Sequence, residues 1–332
     1  MIKLRTEYRA TRIKPFSGNF KSLLEFPSHF EIETINACNA RCPMCTIDEW
    51  NKEEKLMDDH LFRKIVQEIS ENKSNVKRVN LYRDGEPLLD RKLPDRIELC
   101  NQLEVPSVSI STNASLLTPE LSERILQAGL KMITFSLDSL SKPIYESIRR
   151  GLDFEVVLDN IINFLKIRNS GSYNCEVWIR MIRQESNQNE FKSYKKYWDD
   201  TGLIDYSIDR VYYHNIFNWG GQLDEFTPVS INTETHLPCV ALWSLMPIFA
   251  GGDVPMCNVD FNCNHKVGNV RLHSIKEIWQ GAAMESLRLK HLGGLKADIE
   301  MCGSCNVWEE VVQRDGSPSV SSQYAKLFMP IQ

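Results

Sequence analysis

The feature that most constrains this chain is a short loop with three cysteines, Cys38, Cys42 and Cys45, in the run INACNARCPMC. A cubane iron-sulfur cluster has four irons and is normally held by four Cys thiolates. A loop that offers only three thiolates therefore predicts a cluster in which one iron keeps a position open for a small molecule. The alternative is zinc, which needs a fourth Cys or His nearby to complete a tetrahedron. Residues 46–99 contain no Cys and a single His, His60, so we favour the cluster over zinc.

The composition is that of an ordinary globular chain and excludes several classes of protein. Of the 332 residues, 42% are hydrophobic and 25% are charged, and the net charge of −5 provides no broad basic field for nucleic acid. No apolar run approaches the roughly 20 residues of a membrane helix. The first 25 residues do collect basic side chains, which we interpret as a solvated N-terminal arm: Lys3, Arg5, Arg9, Arg12, Lys14 and Lys21.

The cysteine usage indicates a cellular compartment. Ten cysteines in a chain of this length, without an export signal, favour a metal framework in a reducing environment over secreted disulfides. The N-terminal run MIKLRTEYRATRIKPF lacks the apolar stretch that follows the positive residues of a secretory signal. We therefore expect a cytoplasmic protein, with neither a membrane nor nucleic acid among its partners.

From about residue 29 to 214 the chain alternates β-rich runs with longer amphipathic runs. The predicted strands are HFEIETIN, VKRVNLY, PSVSISTN, KMITFSLD, CEVWIRMI and YSIDRVYYH. The predicted helices are DDHLFRKIVQEIS, LPDRIELCNQL, TPELSERILQAG, FEVVLDNIINFLKIRN and NEFKSYKKYWDD. This alternation predicts an α/β fold, a partial (β/α)6 TIM-type barrel with its helices outside a parallel sheet. In such barrels the chemistry lies at the carboxyl ends of the strands, and the three-Cys loop follows the first strand.

The character of the sequence changes near residue 239, after which five of the ten cysteines fall within 67 residues. We interpret residues 239–332 as a small C-terminal domain. Residues 215–238, rich in Asn, Thr, Gly and Pro, are then a connector. Residues 1–28 form the N-terminal arm, and residues 29–214 form the barrel.

The motifs after the first four predicted strands follow the order found in the radical S-adenosylmethionine (radical SAM) enzymes. Cys-x3-Cys-x2-Cys after the first strand resembles the cluster loop of that family, and the next motif is similar to its GGEP segment, with Asp84 in place of the first Gly. Each triplet alone is a weak signal. All four motifs in the order of the family identify the chain as a member of it. The three later motifs are Gly85-Glu86-Pro87, Ser111-Thr112-Asn113, and Ser136-Leu137-Asp138 with Ile148-Arg149.

The resemblance implies a 4Fe-4S cluster held by the three cysteines of the loop, with S-adenosylmethionine (AdoMet) at its open iron. One electron from the reduced cluster would cleave AdoMet to a 5′-deoxyadenosyl radical, which takes hydrogen from unactivated carbon. In relatives the GEP backbone lies against the amino group of the methionine moiety, and the later motifs touch the ribose and the carboxylate. Met44 is expected either near the adenine or as a gap filler. The residues implied to bind AdoMet are Met44, Gly85, Glu86, Pro87, Ser111, Asn113, Ser136, Asp138 and Arg149.

Four cysteines near the C-terminus resemble the ligands of an auxiliary iron-sulfur domain. Cys239-x17-Cys257 precedes Cys302-x2-Cys305, and the stretch GDVPMCNVDFN, which contains Cys257, leads into VGNVRLHSIKEIWQG. The pattern is similar to the extension called SPASM, whose full form holds two clusters, but no Cys follows Cys305. The resemblance therefore implies one auxiliary 4Fe-4S cluster with these four ligands, as in the shortened variant called twitch. Taken alone, the CxxC pair also fits zinc or a redox pair.

Cys263 remains outside both ligand sets and is either a buried structural thiol or a hydrogen donor to a substrate radical. Cys100 and Cys175 are interpreted as core residues. A radical dehydrogenation needs a base, for which His214 is chemically the easiest choice, with Arg180 or a tyrosine as alternatives. Substrate contacts are expected at the ends of the last strands, where the candidates by position are Arg180, Tyr212, His214 and Trp219.

The resemblance leaves more than one class of function open. Peptide-modifying members often carry an N-terminal peptide-binding domain or the full two-cluster extension, neither of which this sequence shows. We therefore expect an oxidoreductase or epimerase that acts on a small polar substrate, a sugar or an aminocyclitol, in carbohydrate or antibiotic biosynthesis. The alternatives are a peptide- or protein-modifying enzyme, like the maturases of ribosomal peptides and sulfatases, and a non-catalytic iron-sulfur scaffold. A flavodoxin- or ferredoxin-type protein is the implied electron donor.

Overall fold

The computed structural model describes residues 20–223 and 238–305, with side chains from residue 23 onward. The basic side chains of the predicted N-terminal arm and residues 224–237 of the predicted connector lie outside the described residues. The strands are β1 His29–Ile32, β2 Arg78–Asn80, β3 Val108–Thr112, β4 Met132–Ser136, β5 Glu176–Arg183, β6 Arg210–Asn215, β7 Leu245–Ile248, β8 Asp253–Pro255 and β9 Lys266–Asn269. The α-helices are α1 Phe20–Glu25, α2 Asp59–Glu71, α3 Leu93–Gln102, α4 Pro119–Gln127, α5 Lys142–Ile148, α6 Phe154–Ser170, α7 Phe191–Thr201, α8 Ala241–Ser244, α9 Ile275–Trp279, α10 Ala282–Leu292 and α11 Glu300–Gly303.

The first seven strands form one sheet in the order β6-β5-β4-β3-β2-β1-β7. Every neighbouring pair in it is parallel. Parallel neighbours need crossover connections, and α2 to α7 supply them between β1 and β6. The six predicted strands and five predicted helices are all present, and the predicted α/β fold, a partial TIM-type barrel, is confirmed.

A seventh strand in the sheet was not predicted from the sequence. β7 lies beyond Cys239, in the stretch assigned to the C-terminal domain, and pairs with β1 from His29 opposite Leu245 to Ile32 opposite Ile248. Its four residues include Pro247, which lacks an N–H and is tolerated in an edge strand. A run this short, without alternating polarity, carries no strand signal. The domain boundaries stay a prediction, and the barrel sheet takes one strand from beyond them.

The helices pack on the sheet through apolar stripes. Asp58 caps the start of α2, since its side chain accepts the N–H of Leu61 at 2.8 Å. α4 begins at the predicted Thr118-Pro119, with the Thr118 hydroxyl accepting the N–H of Leu121 at 3.2 Å. On β1, Phe30 and Ile32 are fully buried. Because side chains alternate along a strand, Glu31 and Glu33 face the other side of the sheet, where the chemistry is expected.

The C-terminal region adds the antiparallel pair β8 and β9 and the helices α9 to α11. Trp279 anchors this region to the N-terminal helix, because its Nε1 donates to the carbonyl of Leu23 at 2.9 Å. Arg288 donates to the carbonyls of Leu242 and Trp279, both at 2.8 Å. None of the described helices is long and apolar enough to cross a bilayer.

Candidate active site and iron-sulfur centres

The three-Cys loop follows β1 at the carboxyl edge of the sheet. Cys42 is buried, whereas Cys38 and Cys45 are half-buried. The loop is tightly turned, since the N–H of Cys45 donates to the carbonyl of Cys42 at 2.9 Å. Burial raises the pKa of Cys45 to about 12 and also raises that of Cys38. The thiolate forms therefore require a strong positive charge, which a metal centre supplies.

The sulfurs of neither described cysteine group are gathered as closely as the ligands of a single zinc ion. Sulfurs bound to one zinc at about 2.3 Å lie about 3.8 Å apart. In the described residues, the only three His, Cys, Asp or Glu ligand atoms within 4.8 Å of one another belong to Glu146, Asp153 and Glu155. Glu155 is exposed and pairs with Lys142 at 2.5 Å. No three of the described cysteine sulfurs lie within 4.8 Å of one another.

Gly85 lies directly against the three-Cys loop. A Cβ at this position would be 2.4 Å from the carbonyl oxygen of Ile35 and 2.8 Å from that of Ala37. The N–H of Glu86 donates to the same Ala37 carbonyl at 2.8 Å. Only glycine permits this approach of two backbones. The GEP turn and the loop backbone are thus two walls in direct contact, and their role toward AdoMet stays a prediction.

Replacing Gly85 with alanine is expected to weaken AdoMet binding, because the added methyl group pushes the two walls apart. The overpacking also lowers the free energy of unfolding by about 1–3 kcal/mol. Gly202→Ala is the matched control, because no atom lies within 4 Å of a Cβ added at Gly202. The φ angle of Gly202 is +64°, so backbone strain alone lowers the free energy of unfolding of this variant by about 1–2 kcal/mol. Chemical denaturation and AdoMet titration of the reconstituted protein measure both effects. Equal AdoMet affinity in the two variants would contradict the assignment.

The carboxylate of Glu86 joins the second and third motifs. It is 3% exposed and accepts hydrogen bonds from the Thr112 hydroxyl at 2.6 Å, the Asn113 N–H at 2.8 Å and the Leu88 N–H at 3.0 Å. Burial raises the pKa of Glu86, although these donors oppose the shift. The side chain of Asn113 donates to Asn39 at 2.9 Å. Both side chains are thus engaged within the protein and fix the positions of their loops; their role toward AdoMet stays a prediction.

Asp138 and Arg149 form a buried ion pair beside Cys42. Asp138 is fully buried and accepts from Arg149 Nε at 2.6 Å and from the Ile182 N–H at 2.8 Å. Arg149 Nη1 lies 3.8 Å from Cys42 Sγ, and Nη2 is buried without a hydrogen-bond partner in the described part of the chain. A buried guanidinium donor without a partner, next to a predicted ligand, fits the carboxylate of AdoMet or an anionic cluster. Asp138 thus orients Arg149, and the predicted contact of these two residues with AdoMet stays a prediction.

Asp84, which replaces the first Gly of the family motif, belongs to a buried charge network. Its carboxylate pairs with Arg83 and accepts from Lys52 Nζ at 2.8 Å. Lys52 also pairs with Glu33 at 2.5 Å and lies 4.6 Å from the ring centroid of Phe249. Because the side chains of Arg83, Asp84, Lys52 and Glu33 are all at least 93% buried, each charge needs these partners.

The same network reaches the C-terminal region. Arg83 Nη2 donates to the carbonyls of Asn258 at 3.2 Å and Asp260 at 3.0 Å. The side chain of Asn262 bonds the backbone of Glu49 at 2.8 Å and that of Asn51 at 3.1 Å. The loop after Cys257 is therefore hydrogen-bonded to the loops that carry the three cysteines and the GEP motif.

Trp219 and Met44 make a further contact between these parts. Trp219 Nε1 donates to the carbonyl of Met44 at 3.0 Å, and the indole packs against Phe217 and Phe261. Met44 is buried at 6% exposure, and Pro87 is buried within the GEP turn. The structure thus places Trp219 against the three-Cys loop, whereas its predicted contact with substrate remains untested.

The inner face of the sheet is polar at the carboxyl ends of the middle strands. Arg180 on β5 donates to the Ser136 hydroxyl on β4 at 2.8 Å and lies 3.5 Å from that of Ser111 on β3. These three predicted residues therefore share one surface. On β6, Tyr212 packs edge-on to Trp178, and His214 Nδ1 lies 3.0 Å from the Asn215 carbonyl, which places the ring proton on Nδ1.

Two residues of this inner face were not predicted, Glu31 and Tyr82. Burial raises the pKa of Glu31 to about 7, with the Arg83 charge opposing the shift. Burial also raises the pKa of Tyr82 well above its usual range, and the charges that act on it include those of Glu31 and Arg180. The alternation Phe30-Glu31-Ile32 in the first strand is the signal that would have identified Glu31.

The four auxiliary cysteines surround one cavity, which is otherwise largely apolar. It is lined by Cys239, Cys257, Cys302 and Cys305, together with His291 and Lys296. Burial raises the pKa of Cys239 to about 11 and that of Cys302 to about 12. Four thiols around one apolar cavity are a donor set that fits a 4Fe-4S cluster.

Cys263 lies apart from this group. The groups that shift its pKa, after burial, are Asp260, Asp253, Lys266 and Arg83, none of them a cysteine. Its backbone is left-handed, with φ 59°. Burial raises its pKa to about 12, so the thiol keeps its proton. Cys100 and Cys175 are buried core residues, as predicted.

The chain matches two protein-family models. The model of the radical SAM superfamily covers residues 32–182, and that of the iron-sulfur cluster-binding domain SPASM covers residues 239–306. A tungsten-containing aldehyde ferredoxin oxidoreductase cofactor-modifying protein of Pyrococcus furiosus is 23% identical over 78% of this chain and 71% of its own length. A probable GTP 3′,8-cyclase of Methanococcus maripaludis is 30% identical over 42% of this chain, which corresponds to 45% of the cyclase.

Solved structures share the fold. BtrN in complex with AdoMet and 2-DOIA has a TM-score of 0.60 at 18% identity, over 88% of this chain and 98% of BtrN. SuiB of Streptococcus suis bound to the precursor peptide SuiA has a TM-score of 0.62 at 16% identity, over 90% of this chain and 76% of SuiB. The two matched domains imply AdoMet, a 4Fe-4S cluster in the barrel and an auxiliary 4Fe-4S cluster. The chain therefore contains a radical SAM domain over residues 32–182, followed by a C-terminal SPASM-type iron-sulfur cluster-binding domain over residues 239–306.

Proposed function

We propose that this chain is an oxidoreductase or epimerase that takes a hydrogen atom from a small polar substrate, a sugar or an aminocyclitol. The observation that carries the proposal is the polar inner face of the sheet, on which Arg180, Ser136 and Ser111 meet at the carboxyl ends of three strands. Closely spaced hydroxyl and guanidinium groups suit a compact substrate with several hydroxyl groups. When bound, AdoMet and the first cluster supply the radical that removes hydrogen from carbon.

The ligand roles follow from the two cysteine groups. Cys38, Cys42 and Cys45 hold the first cluster, and the four cysteines around the apolar cavity hold the auxiliary cluster. Arg149 holds the AdoMet carboxylate, oriented by Asp138. The buried walls of Phe249, Met44 and the GEP turn exclude water from the site.

For dehydrogenation, the substrate radical must lose a proton from a hydroxyl group and one electron, for which the auxiliary cluster would be the acceptor. His214 is supported as the proton acceptor, because its Nδ1 faces a carbonyl oxygen and Nε2 is then the basic nitrogen. Glu31 is an alternative acceptor on the same inner face, since a carboxyl group with a pKa of about 7 is half ionised at neutral pH. Arg180 is better supported as a substrate-binding cation that stays protonated.

For epimerisation, a hydrogen atom must return to the opposite face of the substrate carbon. Cys263 is supported as the donor because its thiol is protonated and lies on the loop that Arg83 holds beside the GEP turn. Dehydrogenation leaves Cys263 without a chemical role. Epimerisation therefore depends on Cys263, whereas dehydrogenation does not.

An anaerobic assay with dithionite and AdoMet tests the proposal. Candidate aminocyclitols and glycosides, deuterated at the carbinol carbons, are expected to transfer deuterium to 5′-deoxyadenosine. If epimerisation is correct, Cys263→Ala retains AdoMet cleavage but yields no epimer; full turnover of this variant favours dehydrogenation. Deuterium transfer only from a labelled peptide would instead favour a peptide-modifying enzyme. An absence of 5′-deoxyadenosine under all conditions would favour the non-catalytic scaffold.

A further inference from the structure

His291 has a polar atom in the auxiliary cavity that no described protein group uses. The residue lies on α10 and is 2% exposed. Its ring lines the cavity that the four cysteines surround. Nδ1 accepts the N–H of Cys239 at 3.1 Å, whereas Nε2 is buried and has no hydrogen-bond partner in the described ranges.

The contact with Cys239 fixes where the ring proton sits. A backbone N–H can only donate, so Nδ1 acts as the acceptor and carries no proton. The proton of the neutral ring therefore lies on Nε2. A doubly protonated ring would direct one N–H against another in a buried place, which is strongly unfavourable. His291 thus presents a neutral N–H donor to the cavity.

We infer that Nε2–H of His291 donates a hydrogen bond to a sulfur of the auxiliary cluster. This inference rests on the proposed ligand set of Cys239, Cys257, Cys302 and Cys305. The remaining lining of the cavity is largely apolar, whereas cluster sulfides and thiolates are anionic acceptors that satisfy a buried donor. A role as an iron ligand is excluded by the same tautomer, since the proton occupies the Nε2 lone pair.

The hydrogen bond raises the reduction potential of the auxiliary cluster. Hydrogen bonds to the sulfurs help to set the potential of iron-sulfur clusters, together with net charge and solvent exposure. The reduced cluster carries one more negative charge, so the donor stabilises it more than the oxidised form. Lys296 lines the same cavity, and its positive charge acts in the same direction. Through this hydrogen bond, His291 makes the auxiliary cluster a better electron acceptor.

The test uses the full chain with Cys38→Ala, Cys42→Ala and Cys45→Ala, so that only the auxiliary cluster remains. In this background, His291→Asn keeps an acceptor for the Cys239 N–H but does not reach the cavity. His291→Gln is the matched control, because its amide N–H lies near the position of Nε2. In a redox titration followed by electron paramagnetic resonance, the Asn variant is expected to be reduced about tenfold less readily, a fall of about 59 mV for one electron. The Gln variant is expected to keep the potential of the background protein.

A second measurement separates the hydrogen bond from a general structural effect. Electron nuclear double resonance in H2O and D2O is expected to show an exchangeable proton coupled to the cluster in the background protein and in His291→Gln, but not in His291→Asn. If the Asn variant loses its cluster, the coupling in the background protein alone decides the question.

The outcomes for His291 and for the ligand set are distinguishable. Equal potentials and an absent exchangeable coupling, in protein that holds about four irons per chain, overturn the role of His291 and leave the auxiliary cluster in place. A nitrogen coupling large enough for direct ligation overturns it as well. A background protein without iron contradicts the ligand set itself, on which the proposed function also depends.

Discussion

Replacing Cys42 with alanine is expected to abolish the formation of 5′-deoxyadenosine. Cys42 is the buried middle cysteine of the three-Cys loop and a proposed cluster ligand, and Arg149 Nη1 lies 3.8 Å from its sulfur. Two thiolates do not hold a four-iron cluster, so the iron content should fall from about eight to about four per chain. The rate of AdoMet cleavage should fall by at least about a thousandfold, because the uncatalysed background is negligible. Iron and sulfide analysis and chromatography of 5′-deoxyadenosine measure both effects.

Cys100→Ala is the control for this experiment. Cys100 is also a fully buried cysteine, but it lies on α3 within the helix layer. Its replacement removes one buried sulfur and should leave iron content and AdoMet cleavage unchanged. If Cys42→Ala retained about eight irons and the activity of the unsubstituted protein, the loop would not be the cluster site.

Replacing Asp138 with alanine is expected to lower the free energy of unfolding by about 3–5 kcal/mol, the cost of leaving one charge of a buried pair without its partner. Asp138 is fully buried and holds Arg149 at 2.6 Å. The loss of orientation of Arg149 should also weaken AdoMet binding by at least about tenfold, the scale of a charge-assisted hydrogen bond. Chemical denaturation and AdoMet titration measure the two effects.

A double-mutant cycle with Arg149→Met tests whether Asp138 acts through Arg149. In the double variant neither charge remains, so its loss of stability should be smaller than the sum of the single losses by about 0.5–3 kcal/mol. Its AdoMet affinity should equal that of Arg149→Met alone. Asp199→Ala, which removes an exposed partner of Lys195, should change neither quantity appreciably. Strict additivity of the two site substitutions would instead mean that Asp138 contacts AdoMet independently.

Much of the fold was predictable because its strands and helices have regular patterns. Helix starts such as Thr118-Pro119 carry local chemical signals, and the structure places them as predicted. β7 was not predictable in this way, because its pairing with β1 is a contact between residues more than 200 positions apart. No local pattern specifies such a pairing.

The residues of the candidate site also include some that local motifs predict and others that only the folded structure reveals. The cysteine spacing and the Gly85-Glu86-Pro87 turn are local motifs, so the sequence was sufficient to identify them. In the sequence, Asp84 is only a departure from the family motif. Its role as a partner of Arg83 and Lys52 was not predictable, because folding is what brings Lys52 next to it. His291 has no characteristic spacing to any cysteine, and its importance depends on the hydrogen bond to Cys239.

The pairing of β7 with β1 has a consequence for how parts of this chain can be exchanged. A protein cut before Cys239 would lose not only the auxiliary cysteines but also an edge strand, and β1 would then expose its backbone hydrogen-bonding groups. Such a fragment would be prone to aggregate, so a soluble barrel is not obtained by simple truncation. A C-terminal region grafted from a relative would have to supply both a strand in the register of His29 with Leu245 and backbone carbonyls for Arg83. The two parts are therefore separate in sequence pattern but form a single unit for protein engineering.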